Sequence, residues 1–194
     1  MNNYKQKLEK FLNPEILNQN LIIASLYIAV FDNFKNRIIS SVRDFYLSGF
    51  EDGQYVYRGY EEKVLNKIKT KNNRTIKASL LWLKESGAIT NEDENKFEEL
   101  TNMRNNLAHE MSQMLFEGFP DNIYKLYVDM IKLFEQIEKW WIVNVEMEIN
   151  PPDIPHENID LDNITSVNIQ FMKIMSEIAF TNTDKYKNMV ENIK

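Results

Sequence analysis

Apolar residues recur every three or four positions through most of the chain, and little interrupts them. Ile16, Ile23, Tyr27, Val30, Phe34, Ile38 and Val42 keep one helical stripe. That stripe has a well-marked start, with Asn13 placed to cap, Pro14 at the first helical position and Glu15 complementing the helix dipole. Gly49 marks its expected stop. A helix of some thirty-odd residues would run about 50 Å, long enough that a kink is expected. No proline occurs between Pro14 and Pro120, which favours long helices over strands.

Residues 49–60 break the periodicity and read as a loop rich in aromatics. Its Tyr55, Tyr57 and Tyr60 serve either to stack unpaired bases or to pack the loop onto the helices. Short helices are predicted over about 60–70 and 74–86, the second ending at Gly87. Thr90 or Asn91 then caps a longer helix whose apolar seam is Phe97, Leu100, Met103, Leu107, Met111 and Met114. Gly118 and Pro120 close it, and Asp121 is placed to cap a strongly apolar helix running through Ile123, Met130, Phe134, Ile137 and Val145. Asn150-Pro151-Pro152 ends that helix and opens an extended, acidic, proline-containing linker over 150–163. The segment 164–180 is too apolar to remain in water and should dock on the bundle or on a partner. The pattern predicts an all-α fold: an antiparallel helical bundle over 1–150, then a linker and docking C-terminal helix over 151–194.

Composition narrows the chemistry. The chain has 194 residues, enough to bury a substantial core, and its 43% hydrophobic and 27% charged content is that of an ordinary soluble domain. The absence of cysteine excludes disulfides, thiolate metal sites and cysteine nucleophiles. The two histidines, His109 and His156, lie in different segments, so neither a metal site nor any cofactor is expected. The N-terminus lacks a signal-peptide pattern, and the most apolar run, Leu21 to Phe31, is short for a bilayer span, so a cytoplasmic protein without a membrane partner is expected.

A net charge of −6 argues against nonspecific coating of nucleic acid. Charge is nonetheless uneven. Lys63, Lys67, Lys69, Lys71, Arg74 and Lys77 fall in a stretch without acids, balanced by Glu92, Asp93, Glu94, Glu98 and Glu99 further on. Charge runs of this kind are usually solvated connectors, and that is the reading favoured over an RNA-backbone cradle.

Chemistry concentrates in Met103-Arg104-Asn105-Asn106-Leu107-Ala108-His109-Glu110. A guanidinium neutralises phosphate, an imidazole moves a proton near neutral pH, and an amide orients either one. Two adjacent asparagines are also unusual in a helix selected only for packing, because Asn competes for backbone hydrogen bonds. The plainer alternative pairs Arg104 with Glu98, Glu99 or Glu110 and leaves His109 on a solvated face. On an unbroken helix, five positions rotate the side chain by about 140° net and raise it about 7.5 Å, so Arg104 and His109 would point apart. Either the helix breaks near Asn105–Asn106, or two copies of the motif meet across a two-fold axis.

Arg104-Asn105-Asn106-Leu107-Ala108-His109 resembles the signature of the HEPN superfamily (higher eukaryotes and prokaryotes nucleotide-binding domains): an Arg, four to six intervening residues and a His, often with a polar residue directly after the Arg. The resemblance spans roughly residues 14–149. It implies a HEPN-like helical bundle that forms a homodimer through the motif helices. It further implies metal-independent endoribonuclease activity, with Arg104, Asn105 and His109 catalytic and RNA as substrate. Toxin–antitoxin or antiviral defence roles follow from the same likeness, with an antitoxin or other regulatory protein as a possible partner. One subgroup carries a Tyr two positions after the His as a site of modification by its antitoxin; this chain has Met111 there. Two other functions fit the residues: a module that binds RNA or nucleotide without cutting, and a helical adaptor that works through its last apolar helix.

Overall fold

The computed structural model describes residues 2–151, 160 and 163–180. It is mostly helical. The elements are α1 (Asn2–Phe11), α2 (Pro14–Asp44), β1 (Leu47–Glu51), β2 (Gln54–Tyr57), α3 (Tyr60–Lys63), a 3-10 turn (Leu65–Lys67), α4 (Arg74–Glu85), α5 (Asn91–Glu117) and α6 (Ile123–Trp141). A π-helical stretch (Ile142–Glu146) leads into α7 (Met147–Ile149), and α8 (Val167–Phe180) follows. By internal contacts the chain forms two compact units, one of Ala29–Asn102 and one of Met1–Ile28 with Met103–Lys194. The division falls inside α2 and α5. His156 and most of the proline-containing linker lie outside the described residues.

Helix boundaries follow local chemistry. The Asn13 Oδ1 accepts the backbone N–H groups of Glu15 at 2.9 Å and Ile16 at 3.3 Å, which satisfies two donors at the start of α2. Asn13→Ala should therefore cost about 0.5–2 kcal/mol of stability, read as a lower denaturant midpoint with an unchanged slope. Thr90 and Asp93 cap α5 reciprocally: the Asp93 N–H donates to Thr90 Oγ1 at 3.2 Å, and the Thr90 N–H donates to Asp93 Oδ2 at 2.8 Å. At the end of α4 the Ala88 N–H reaches back to the Leu83 carbonyl and the Gly87 N–H to that of Lys84, a turn for which Gly87 takes φ 78°. The expected side-chain cap from Asp121 is replaced by Asn122 at the cap position, without a side-chain bond.

In the Ala29–Asn102 unit, α2 contributes Val30, Phe31, Phe34, Ile38 and Val42 to the core, α4 contributes Ile76 and Leu83, and α5 contributes Phe97 and Leu100. The Phe97 ring sits 5.4 Å from that of Phe31 and 5.5 Å from that of Phe34. Residues 49–60, expected as a loop, instead include most of an antiparallel hairpin. Asp52 (φ 50°) and Gly53 (φ 80°) are both left-handed, the geometry of a type I′ turn, and Asp-Gly is a sequence that tolerates it. The hairpin starts at Leu47, so α2 stops at Asp44, short of Gly49.

The tyrosines of this segment separate. Tyr57 lies under the Arg43 guanidinium, 5.0 Å from ring centre. A hydrogen bond from Arg43 to Asp44 holds the arginine's pKa above its ordinary value. Burial raises the pKa of Tyr60, and the nearby Ser79 hydroxyl offsets part of this. Only Tyr55 is well exposed, packed edge-on against Phe50 across the hairpin. The basic stretch is partly structural. Arg74 donates to the Leu65 carbonyl, Asn66 and Glu61, and Lys67 pairs with Glu85.

In the other unit, α6 buries Ile123, Leu126, Tyr127, Met130, Phe134 and Ile137. The segment 164–180 docks on this helix through α8: Ile169 and Met172 are fully buried, Lys173 pairs with Glu135 at 2.6 Å, and the Tyr127 and Ser176 hydroxyls lie 2.7 Å apart. Burial raises the Tyr127 pKa, partly offset by Ser176. From α2, Ile23, Ala24 and Tyr27 join this core. By length and composition alone α2 would also reach across a bilayer, because the helix extends well beyond its most apolar run.

Candidate functional site

Arg104, Asn105 and His109 all lie on α5 within the second of these units. The seam that fixes the helix there is Met103, Leu107 and Met114, each buried. With a rotation of about 100° per residue, Arg104 flanks that seam, while Asn105 and His109 face away from it. The exposures agree: Arg104 is half-buried, and Asn105, Asn106, Ala108 and His109 are exposed. Arg104 also interacts within the chain.

Residues 91–109 are continuously helical, so of the two alternatives the break at Asn105–Asn106 does not occur. The interruption comes at Glu110, with φ −119° and ψ 17°, immediately after His109. Arg104 and His109 thus stay about 140° apart around one helix, as an intact turn requires. Asn105 and His109 are four positions apart and share a face, the spacing at which side chains on a helix meet. Ala108 stands between Arg104 and His109 around the helix, and its small side chain leaves room for another surface to approach.

Sequence reasoning did not find α1. Its Tyr4 and Phe11 rings pack against Phe116 at 5.6 and 6.0 Å, near the end of α5. Between α1, the start of α2 and this end of α5 lies a cavity of about 190 Å3, lined by Lys7, Lys10, Phe11, Asn20 and Phe116 among others. None of the three motif residues lines it. The signal available in the sequence was the spacing of Tyr4, Leu8 and Phe11, diluted by the polar residues around them.

Comparison with protein-family models, with curated proteins and with solved structures finds no match to this chain.

Proposed function

We propose that the protein is a metal-independent endoribonuclease of HEPN type, with a site assembled from two copies of the motif helix. The observation that carries this reading is the display of Asn105 and His109 on the exposed face of α5, with half-buried Arg104 at its flank. A packing helix has no need of Asn105 and His109 in accessible positions, whereas a phosphodiester must reach them.

In the reaction, a ribose 2′-hydroxyl attacks the adjacent phosphorus and the 5′-oxygen of the next nucleotide leaves. His109 accepts the 2′-hydroxyl proton, and an imidazolium returns one to the departing oxygen. Arg104 stabilises the charge that builds on the phosphoryl oxygens. Asn105 orients the imidazole from four residues upstream. The products are a 2′,3′-cyclic phosphate and a 5′-hydroxyl. Because Arg104 and His109 point apart on one helix, Arg104 of one copy works with His109 of the other across a two-fold axis. A toxin or antiviral role, held in check by a regulatory protein, fits an RNA-cutting activity of this kind.

Incubating the purified protein with total RNA and with tRNA in excess EDTA tests the chemistry. Cleavage should persist and leave 2′,3′-cyclic phosphate ends. Activity that disappears in EDTA and returns with Mg²⁺ or Mn²⁺ would contradict the mechanism. Binding of RNA with no cleavage product would instead favour a recognition module.

A further inference from the structure

The cavity of about 190 Å3 where α1, the start of α2 and the end of α5 meet has a mixed lining. Phe11, Leu17 and Phe116 line it and remain only half-buried. Its charged lining carries both signs. Lys7 and Lys10 come from one face of α1, three positions apart, and Glu117 comes from the last turn of α5. Among the described residues, none of these three side chains forms an ion pair or a hydrogen bond, so both signs of charge stay open to the cavity. Helix α5 also ends here. The Gly118 N–H donates to the Met114 carbonyl at 2.8 Å, while no backbone N–H among the described residues reaches the carbonyls of Leu115, Phe116 or Glu117. Those oxygens form the negative end of the helix dipole.

We propose that this cavity binds a free α-amino acid with an apolar side chain of leucine or phenylalanine size. Each part of such a ligand has a counterpart in the lining. The carboxylate suits Lys7 and Lys10, the ammonium suits Glu117 and the open end of α5, and the side chain suits Phe11, Leu17 and Phe116. Gln6 and Asn20 add neutral amides, which donate to one head group or accept from the other. Size sets the limit. An apolar cavity of about 150 Å3 already holds benzene, so 190 Å3 takes one ring or a branched chain and little more. A simple anion would leave Glu117 and the α5 carbonyls unanswered, and a simple amine would leave both lysines so. A peptide end brings only one of the two charges. Because the charged groups are partly solvated, the affinity is of millimolar order. None of Arg104, Asn105 and His109 lines the cavity, and the proposal does not rest on the ribonuclease reading.

Titration of the isotope-labelled full chain with L-phenylalanine and with L-leucine, followed by backbone amide chemical shifts, tests the proposal. Saturable shifts should centre on the end of α1, the start of α2 and the end of α5, with Phe11 and Gly118 among them. Phenylpropanoate, which lacks the ammonium, and phenethylamine, which lacks the carboxylate, should each bind about tenfold more weakly. Replacing both lysines, as Lys7→Gln with Lys10→Gln, should weaken L-phenylalanine binding by about three- to tenfold, and Glu117→Gln should do the same. These side chains are exposed or half-buried, so circular dichroism and melting should stay close to wild type. No saturable shift at tens of millimolar amino acid would overturn the proposal, and so would single-charge analogues that bind as tightly. Wild-type affinity in the lysine and glutamate variants would overturn the site.

Discussion

His109→Ala and Arg104→Ala should each lower RNA cleavage by about 10²–10⁴-fold, the range that acid–base help and charge stabilisation supply. Folding should be little affected by the first change. His109 is exposed, and such substitutions usually shift stability by less than about 0.5 kcal/mol, or roughly 1–2 °C in melting temperature for a chain of this size. Arg104→Ala should lower the melting temperature somewhat more, because the residue is half-buried. Arg104→Lys keeps the charge but loses the planar fork, so its rate should fall between the two. Asn105→Ala should be milder than either, since the amide orients the imidazole and does not react. Cleavage that remains at the wild-type rate in His109→Ala would remove the imidazole from the mechanism.

The opposite outcome is expected two residues away. Leu107 is fully buried on the same helix, and Leu107→Ala should cost about 2–5 kcal/mol through lost burial and the cavity left behind. For a chain of this size that corresponds to a melting temperature lower by about 5–15 °C. Below that lowered transition the variant should still cut RNA, because His109 lies on the other side of the helix. Thermal melting and cleavage measured on Leu107→Ala and His109→Ala together should thus give opposite patterns. A Leu107→Ala melting temperature within about 2 °C of wild type would mean the seam does not anchor this part of α5.

Those contrasts were legible because a helix writes its packing into its spacing. The seam Phe97 to Met114 and the Asn13-Pro14 start depend on residues close in sequence, and the last apolar segment was marked for docking by its own composition. What escaped depends on partners far away or on signals that compete. Asp52-Gly53 is a hairpin turn sequence, but the aromatics around it read equally well as a loop. Arg74 sits within a run of lysines, and nothing local shows that it clamps the Leu65 carbonyl and Glu61. The break at Glu110 carries no proline or glycine, and the asparagines that advertise a break five residues earlier are helical. At the motif, the sequence identified the residue types and the rotation between them. The exposure of each, and the intact turn that keeps Arg104 and His109 apart, required the fold.

That intact turn makes the central claim sharp: one site draws Arg104 from one chain and His109 from another. The most direct measurement mixes the two inactive variants. Arg104→Ala and His109→Ala are unfolded together, refolded as a mixture and assayed on RNA in EDTA, beside each variant alone and the wild type. In a two-fold pair, a mixed dimer contains one site with both groups intact and one with neither. Random pairing should therefore restore about a quarter of the wild-type rate, while each variant alone stays inactive. A mixture as inactive as its parts, beside a wild type that cuts, would contradict a site shared between two chains.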